Sequence, residues 1–155
     1  MTGMVSSIIR AGVLTAIIDG AFSGVLAAFI YQSGFARLWQ GVASTVLGPD
    51  ALNGGVQTTL VGIAMHITVA FTWSAVFVIL LGPRPAVARL LASSNGWIKA
   101  GALYGPFIWM VMSLIVIPTL TGRPPSITYR WWVQFVGHAP FVGMPIVWAA
   151  RKNDA

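Results

Sequence analysis

Apolar residues gather in four long blocks, approximately Ala11–Tyr31, Thr59–Leu81, Ala100–Leu120 and Trp131–Ala150, none of which contains Lys or Arg. A helix rises ~1.5 Å per residue and must cross ~30 Å of hydrocarbon, so about 20 apolar residues make one span. The pattern therefore predicts four transmembrane helices. The first block follows Arg10 in the manner of a secretory signal, but Asp19 sits in its middle and no clean small-x-small cleavage site precedes a soluble domain. It is expected to remain as a permanent span.

Between the first two blocks, Gln32–Thr58 is too long for a simple turn. Phe35, Leu38, Trp39, Val42 and Val46 recur there at helical spacing, ahead of Gly48-Pro49 and Asn53-Gly54-Gly55. A short amphipathic helix over approximately residues 35–47, lying in the membrane interface, is the expected reading. A re-entrant segment capping the bundle is the alternative, disfavoured by the cost of placing Arg37 and Gln40 at depth.

Composition agrees with the pattern. The 155 residues are 57% hydrophobic and 8% charged, too few polar groups to cover a water-soluble surface, and the length suits one integral membrane domain over residues 1–155. The fold class expected is all-α, a four-helix transmembrane bundle. With four spans, Arg10, Arg84, Arg89, Lys99, Arg151 and Lys152 share one side and Arg37, Arg123 and Arg130 the other. The basic excess predicts cytoplasmic N- and C-termini in a bacterial cytoplasmic (inner) membrane. Tyr31, Trp39, Trp131 and Trp132 read as aromatic anchors at the outer edge, Trp97 and Trp148 at the inner one. The net charge of +6 is thus a matter of topology and lipid head groups, and no basic patch with interleaved aromatics points to nucleic acid. The absence of cysteine removes disulfides, thiolate metal sites and cysteine nucleophiles.

Helices in lipid associate through close backbone approach at small residues. Gly12, Ala16, Gly20, Gly24 and Ala28 recur every fourth residue in span one and form such a stripe. Thr58, Gly62, His66, Ala70 and Ser74 repeat the spacing in span two, which predicts that His66 faces protein. Span three begins with Gly101 and Gly105 and is expected to stop near Pro118, whereas Pro140 and Pro145 should bend span four beside His138.

Three ionisable side chains fall well inside the spans: Asp19, His66 and His138. Such residues are functional candidates because charge in hydrocarbon is costly. Counted from the outer ends, the two histidines lie about seven residues or ~10 Å deep and Asp19 about twelve residues or ~18 Å. Gln134 stands one turn above His138, and Thr15 and Ser23 flank Asp19, giving each site polar company. As a structural cluster these groups would hold spans one, two and four in register, at ~0.6–2 kcal/mol per contact. As a relay, the carboxyl and imidazoles would pass a proton or cation. Two level histidines could also be axial ligands of a b-type haem, with Gly62 and Gly137 leaving room for the macrocycle. Asp19, His66 and His138 are ligand types suited to a metal ion, although no diagnostic spacing accompanies them. Enzyme signatures are missing: no phosphate-binding loop, dinucleotide fingerprint, zinc-protease motif or serine elbow occurs.

Gly62-x-x-x-His66, the glycine-rich start at Gly101–Gly105, Pro118 followed by Gly122–Pro125, and Gly137-His138 in a helix ending in basic residues give the segment Gly62–Lys152 a family likeness. It resembles the uncharacterised bacterial multi-span inner-membrane proteins of the YagU-like kind. The resemblance implies an inner-membrane location with the two histidines as recurring positions, and it supplies no activity. Asp19-Gly20 and Arg37-Leu38-Trp39-Gln40 are more similar to a shorter group of hypothetical membrane proteins.

The leading expectation is a non-enzymatic accessory or structural membrane protein, binding the lipid bilayer, without cofactor, and self-associating or partnered with another membrane protein through the span-one stripe. A proton-coupled or cation pathway through Asp19, His66 and His138 is the alternative, and a haem b electron carrier the third. A parallel repeat of two helix–loop–helix halves is a further expectation, each half having a histidine in its second span.

Overall fold

The computed structural model describes residues 2–151. Four helices are long and apolar enough to cross a membrane: α1 (Gly3–Ile30), α3 (Gly55–Leu81), α5 (Gly96–Thr121) and α6 (Tyr129–Ala150). Two shorter helices join them, α2 (Phe35–Leu47) and α4 (Pro85–Leu91), and a 3₁₀ turn covers Pro49–Asn53. There is no strand among the described residues. The architecture is the all-α four-span bundle that the apolar blocks predict, and it is that of an integral membrane protein. Its outer faces keep large apolar side chains exposed, such as Ile17, Phe29, Leu103 and Val136, as helices bathed in lipid would.

α1 is central, packed between α3 on one flank and α6 on the other; α5 packs mainly on α6, and α2 lies along α3. Toward the end carrying Arg84 and Lys99, Phe77, Tyr104, Ile108, Val142, Ile146 and Val147 form the largest apolar core cluster. There the Tyr104 hydroxyl donates to the Trp73 carbonyl at 2.8 Å, tying α5 to α3. Arg10, Arg84, Arg89, Lys99 and Arg151 lie at this end of the bundle, and Arg37, Arg123 and Arg130 at the other, which is called here the Tyr31 end. Lys152, grouped with Arg151 on sequence grounds, is outside the described residues.

Several local expectations change. α1 begins eight residues before Ala11, because an exposed arginine does not interrupt a helix; Arg10 lies on its surface and reaches back to the Ser7 hydroxyl. α5 passes through Pro118 to Thr121 and is ended by Gly122 at φ +64°. A π turn at Met112–Val116 comes just before Pro118, and this widening relieves the conflict between the ring and the carbonyl one turn back. In α6 the disturbance expected beside His138 takes the form of a π turn at Ala139–Gly143, around Pro140. Trp39 and Trp131, expected as interfacial anchors, are 5% and 8% exposed and belong to the interior, whereas Trp132 and Trp148 are exposed.

The small-residue stripe of α1 is used within the chain over its first half. Gly12 sits under the Phe71 ring of α3 and Gly20 under the His66 ring and Trp39, whereas Gly24 has nothing within contact distance and Ala28 is exposed. The amphipathic α2 packs its Trp39, Gln40 and Ala43 face inward, and the Trp39 carbonyl fills the space left by Gly62. Its polar side chains reach the following turn: Gln40 donates to the Gly55 carbonyl at 3.1 Å and Arg37 to the Leu52 carbonyl at 2.9 Å. The first bond gives the buried Gln40 amide a partner, while Arg37 stays exposed.

Candidate functional site

Asp19 lies eleven residues from the end of α1 and His66 eleven from the start of α3, so two antiparallel neighbours bring them level. The expectation that Asp19 lies deeper than His66 fails because α3 starts at Gly55, four residues earlier than its apolar block. The Asp19 Oδ2 and His66 Nδ1 atoms are 3.7 Å apart, and the two side chains are 16% and 15% exposed. On its other edge the His66 ring places Nε2 3.0 Å from the Ala16 carbonyl of α1. A carbonyl only accepts, so this contact makes Nε2 the protonated nitrogen of the ring. Gly20 makes the arrangement possible, since its missing side chain lets the imidazole lie against α1.

His138 lies on α6, the other helix packed against α1, outside ion-pair distance of Asp19. Its Nδ1 lies 2.7 Å from the Gln134 carbonyl one turn earlier in its own helix, which assigns the proton to Nδ1 and leaves Nε2 as an acceptor. Gly105 of α5 packs on the His138 carbonyl, and Gly137 is covered by the Phe22 ring of α1. Phe22 in turn stacks on Phe141 with ring centroids 4.2 Å apart.

Each histidine has a tryptophan against its face. Trp39 of α2 lies 5.0 Å from His66 and Trp109 of α5 lies 4.8 Å from His138, centroid to centroid, both tilted by about half a right angle. Among the described residues, the indole nitrogens of both tryptophans, Asp19 Oδ1 and Thr15 Oγ1 are buried without a hydrogen-bond partner. Sequence reasoning singled out Asp19, His66, His138 and Gln134, of which Asp19 faces His66 and the Gln134 carbonyl holds His138, and it overlooked both tryptophans as neighbours of the histidines. Trp109 could have been found, since it continues the four-residue spacing of Gly101 and Gly105 on to Ser113. Of Gln134, the backbone carbonyl rather than the amide holds His138.

Neither cofactor alternative fits this geometry. The spaces at Gly62 and Gly137 that a macrocycle would need are filled by the Trp39 backbone and the Phe22 ring. Both nitrogens of His66 face protein oxygens, leaving none for an iron. Asp19, His66 and His138 do not close into a metal-binding set, and no group of three such ligands does so among the described residues. What the arrangement can do is hold and exchange a proton. Comparison with known proteins returns no matching family model, no matching curated protein and no matching solved structure.

Proposed function

We propose that this is a non-enzymatic membrane protein in which Asp19, His66 and His138 take up a proton and pass it along. One observation carries the reading: His66 presents both nitrogens to oxygen acceptors, the Ala16 carbonyl and the Asp19 carboxyl. With Nε2–H fixed on Ala16, a single further proton completes the pair, resting either on His66 Nδ1 or on the Asp19 carboxyl. His138, with Nε2 as an acceptor, is the next station.

A non-enzymatic role is supported by four hydroxyls of the spans, those of Thr68, Thr72, Ser74 and Ser113, which donate to main-chain carbonyls one turn back. The uneven division of basic residues between the two ends supports cytoplasmic termini, and a bacterial inner membrane is compatible with that asymmetry. The Tyr31 end is then the outer one. A structural role for the same cluster is the second reading, favoured by the His66–Ala16 hydrogen bond, which joins α3 to α1 whatever the protonation of Asp19.

In proteoliposomes given an acid step outside, the relay predicts a proton flux that Asp19→Asn abolishes and His138→Gln slows. Equal flux in wild type and both variants rejects the relay and leaves the structural role.

A further inference from the structure

A cavity of about 460 Å³ lies at the Tyr31 end, between the ends of α1, α5 and α6 and the segment 122–128. It extends along α5 from Thr121 to Trp109, ~18 Å of helix, so that its inner wall includes the residues that touch His138: Trp109 and Gln134. Its mouth carries Arg123 and Arg130, and no acidic residue lines it.

The donors and acceptors of the wall are unbalanced. Ser113 is saturated, donating to the Trp109 carbonyl at 2.6 Å and accepting from the Trp131 indole at 2.9 Å. The Tyr31 hydroxyl and the Trp109 indole N–H, both buried, have no partner among the described residues. Arg130 lies over the Tyr31 ring at 4.4 Å, with its Nε donating to the Tyr129 hydroxyl, an arrangement that leaves the terminal nitrogens of the guanidinium available. Neither Arg123 nor Arg130 has a carboxylate within ion-pair distance among the described residues. Two arginines at the mouth of a largely apolar cavity, neither paired with a carboxylate among the described residues, favour an acceptor-rich, negatively charged occupant there.

We propose that the mouth of this cavity binds a phosphate oxyanion, held between Arg123 and Arg130 beside the Tyr31 ring. Arginine suits phosphate because its planar fork gives paired hydrogen bonds. The position at the end of the spans admits two sources, the headgroup of an anionic phospholipid or a free phosphate. The site is separate from the proton-exchanging cluster and stands or falls without it.

The test uses the full chain, delipidated in detergent, with Arg123→Gln, Arg130→Gln and Tyr31→Phe as variants. In one arm inorganic phosphate is titrated while tryptophan fluorescence reports on Trp109 and Trp131. In the other, native mass spectrometry follows retention of phosphatidylglycerol against phosphatidylcholine. A free-phosphate site gives a saturable fluorescence change whose affinity falls about tenfold or more in each arginine variant. A headgroup site gives no such change, but selective retention of phosphatidylglycerol that both arginine variants lose. Arg10→Gln, at the opposite end, should leave either result unaltered. Binding that is equal in wild type and both arginine variants, or no binding of either ligand to wild type, overturns the proposal.

Discussion

The two histidines of the interior have similar tryptophan covers and opposite anchoring. His66 is bonded to another helix: Nε2 donates to Ala16 of α1, Nδ1 faces Asp19 of α1, and Trp39 shields the ring from the side. His138 is bonded to its own helix through Gln134 and is 9% exposed, beside the wall of the cavity at the Tyr31 end. Removing a bond between helices affects how the bundle packs, whereas removing one within a helix leaves packing to the apolar neighbours. The first histidine thus ties α3 to α1, and the second is held within its own helix. The covering tryptophans also come from different places, one from a connecting helix and one from a span, so the two histidine sites are not built as copies of one half-molecule.

The comparison can be broken most forcefully at the glycines behind each histidine. A side chain at Gly62 would meet the Trp39 carbonyl, and one at Gly105 the His138 carbonyl, in both cases backbone that cannot move aside. Gly62→Ala and Gly105→Ala should each cost about 3 kcal/mol, read as a lowered unfolding midpoint in detergent. Gly24→Ala, in open space, should be nearly neutral in the same measurement. If all three behave alike, close approach of α2 to α3 and of α6 to α5 is not what these glycines provide.

A smaller effect is expected from the histidines themselves. His66→Phe removes the bond to Ala16 and leaves Asp19 without its partner, and should cost about 2 kcal/mol at neutral pH. His138→Phe loses a bond within one helix and should cost about 0.5–1 kcal/mol. Equal losses would erase the distinction between the two sites. Combining His66→Phe with Asp19→Asn sharpens it further: the double variant should be about 1 kcal/mol more stable than the sum of the single effects, because Asn needs no counter-charge. Comparable to His138→Phe is Trp109→Phe, which forfeits no hydrogen bond of the indole and should lower stability by about 1 kcal/mol or less.

How far these features could be read from residues alone follows from the physics of each. The spans were legible because about 20 apolar residues have few alternatives to crossing a bilayer, and the exposure of Ile17, Phe29 and Leu103 fits that reading. The inward direction of His66 was legible too, from the small residues that share its face. Its level relative to Asp19 was not, because polar residues at helix ends, here Gly55 to Thr58, extend a helix beyond its apolar block. Trp39 and Trp131 illustrate a second difficulty: an aromatic near the end of a span can anchor in the interface or turn inward, and what it meets decides, here Gly20 for Trp39 and the Ser113 hydroxyl for Trp131. Gly62 and Gly137 were read as room for a ligand, whereas the chain fills both with its own atoms. The π turns at Met112–Val116 and Ala139–Gly143 could be placed near prolines but not described, since a proline can be accommodated by a kink, a stop or a widened turn.

The claim on which the rest depends is that one proton is shared across the α1–α3 contact, with the ring orientation of His66 set by Ala16. Nitrogen-15 spectra of labelled histidine in the lipid-reconstituted protein, recorded through the neutral pH range, test it directly. The account predicts that the Nε2 of His66 stays protonated throughout, and that its Nδ1 resonance is displaced in Asp19→Asn. A His66 whose Nε2 is unprotonated, or whose Nδ1 is indifferent to the loss of the Asp19 carboxyl, would contradict it.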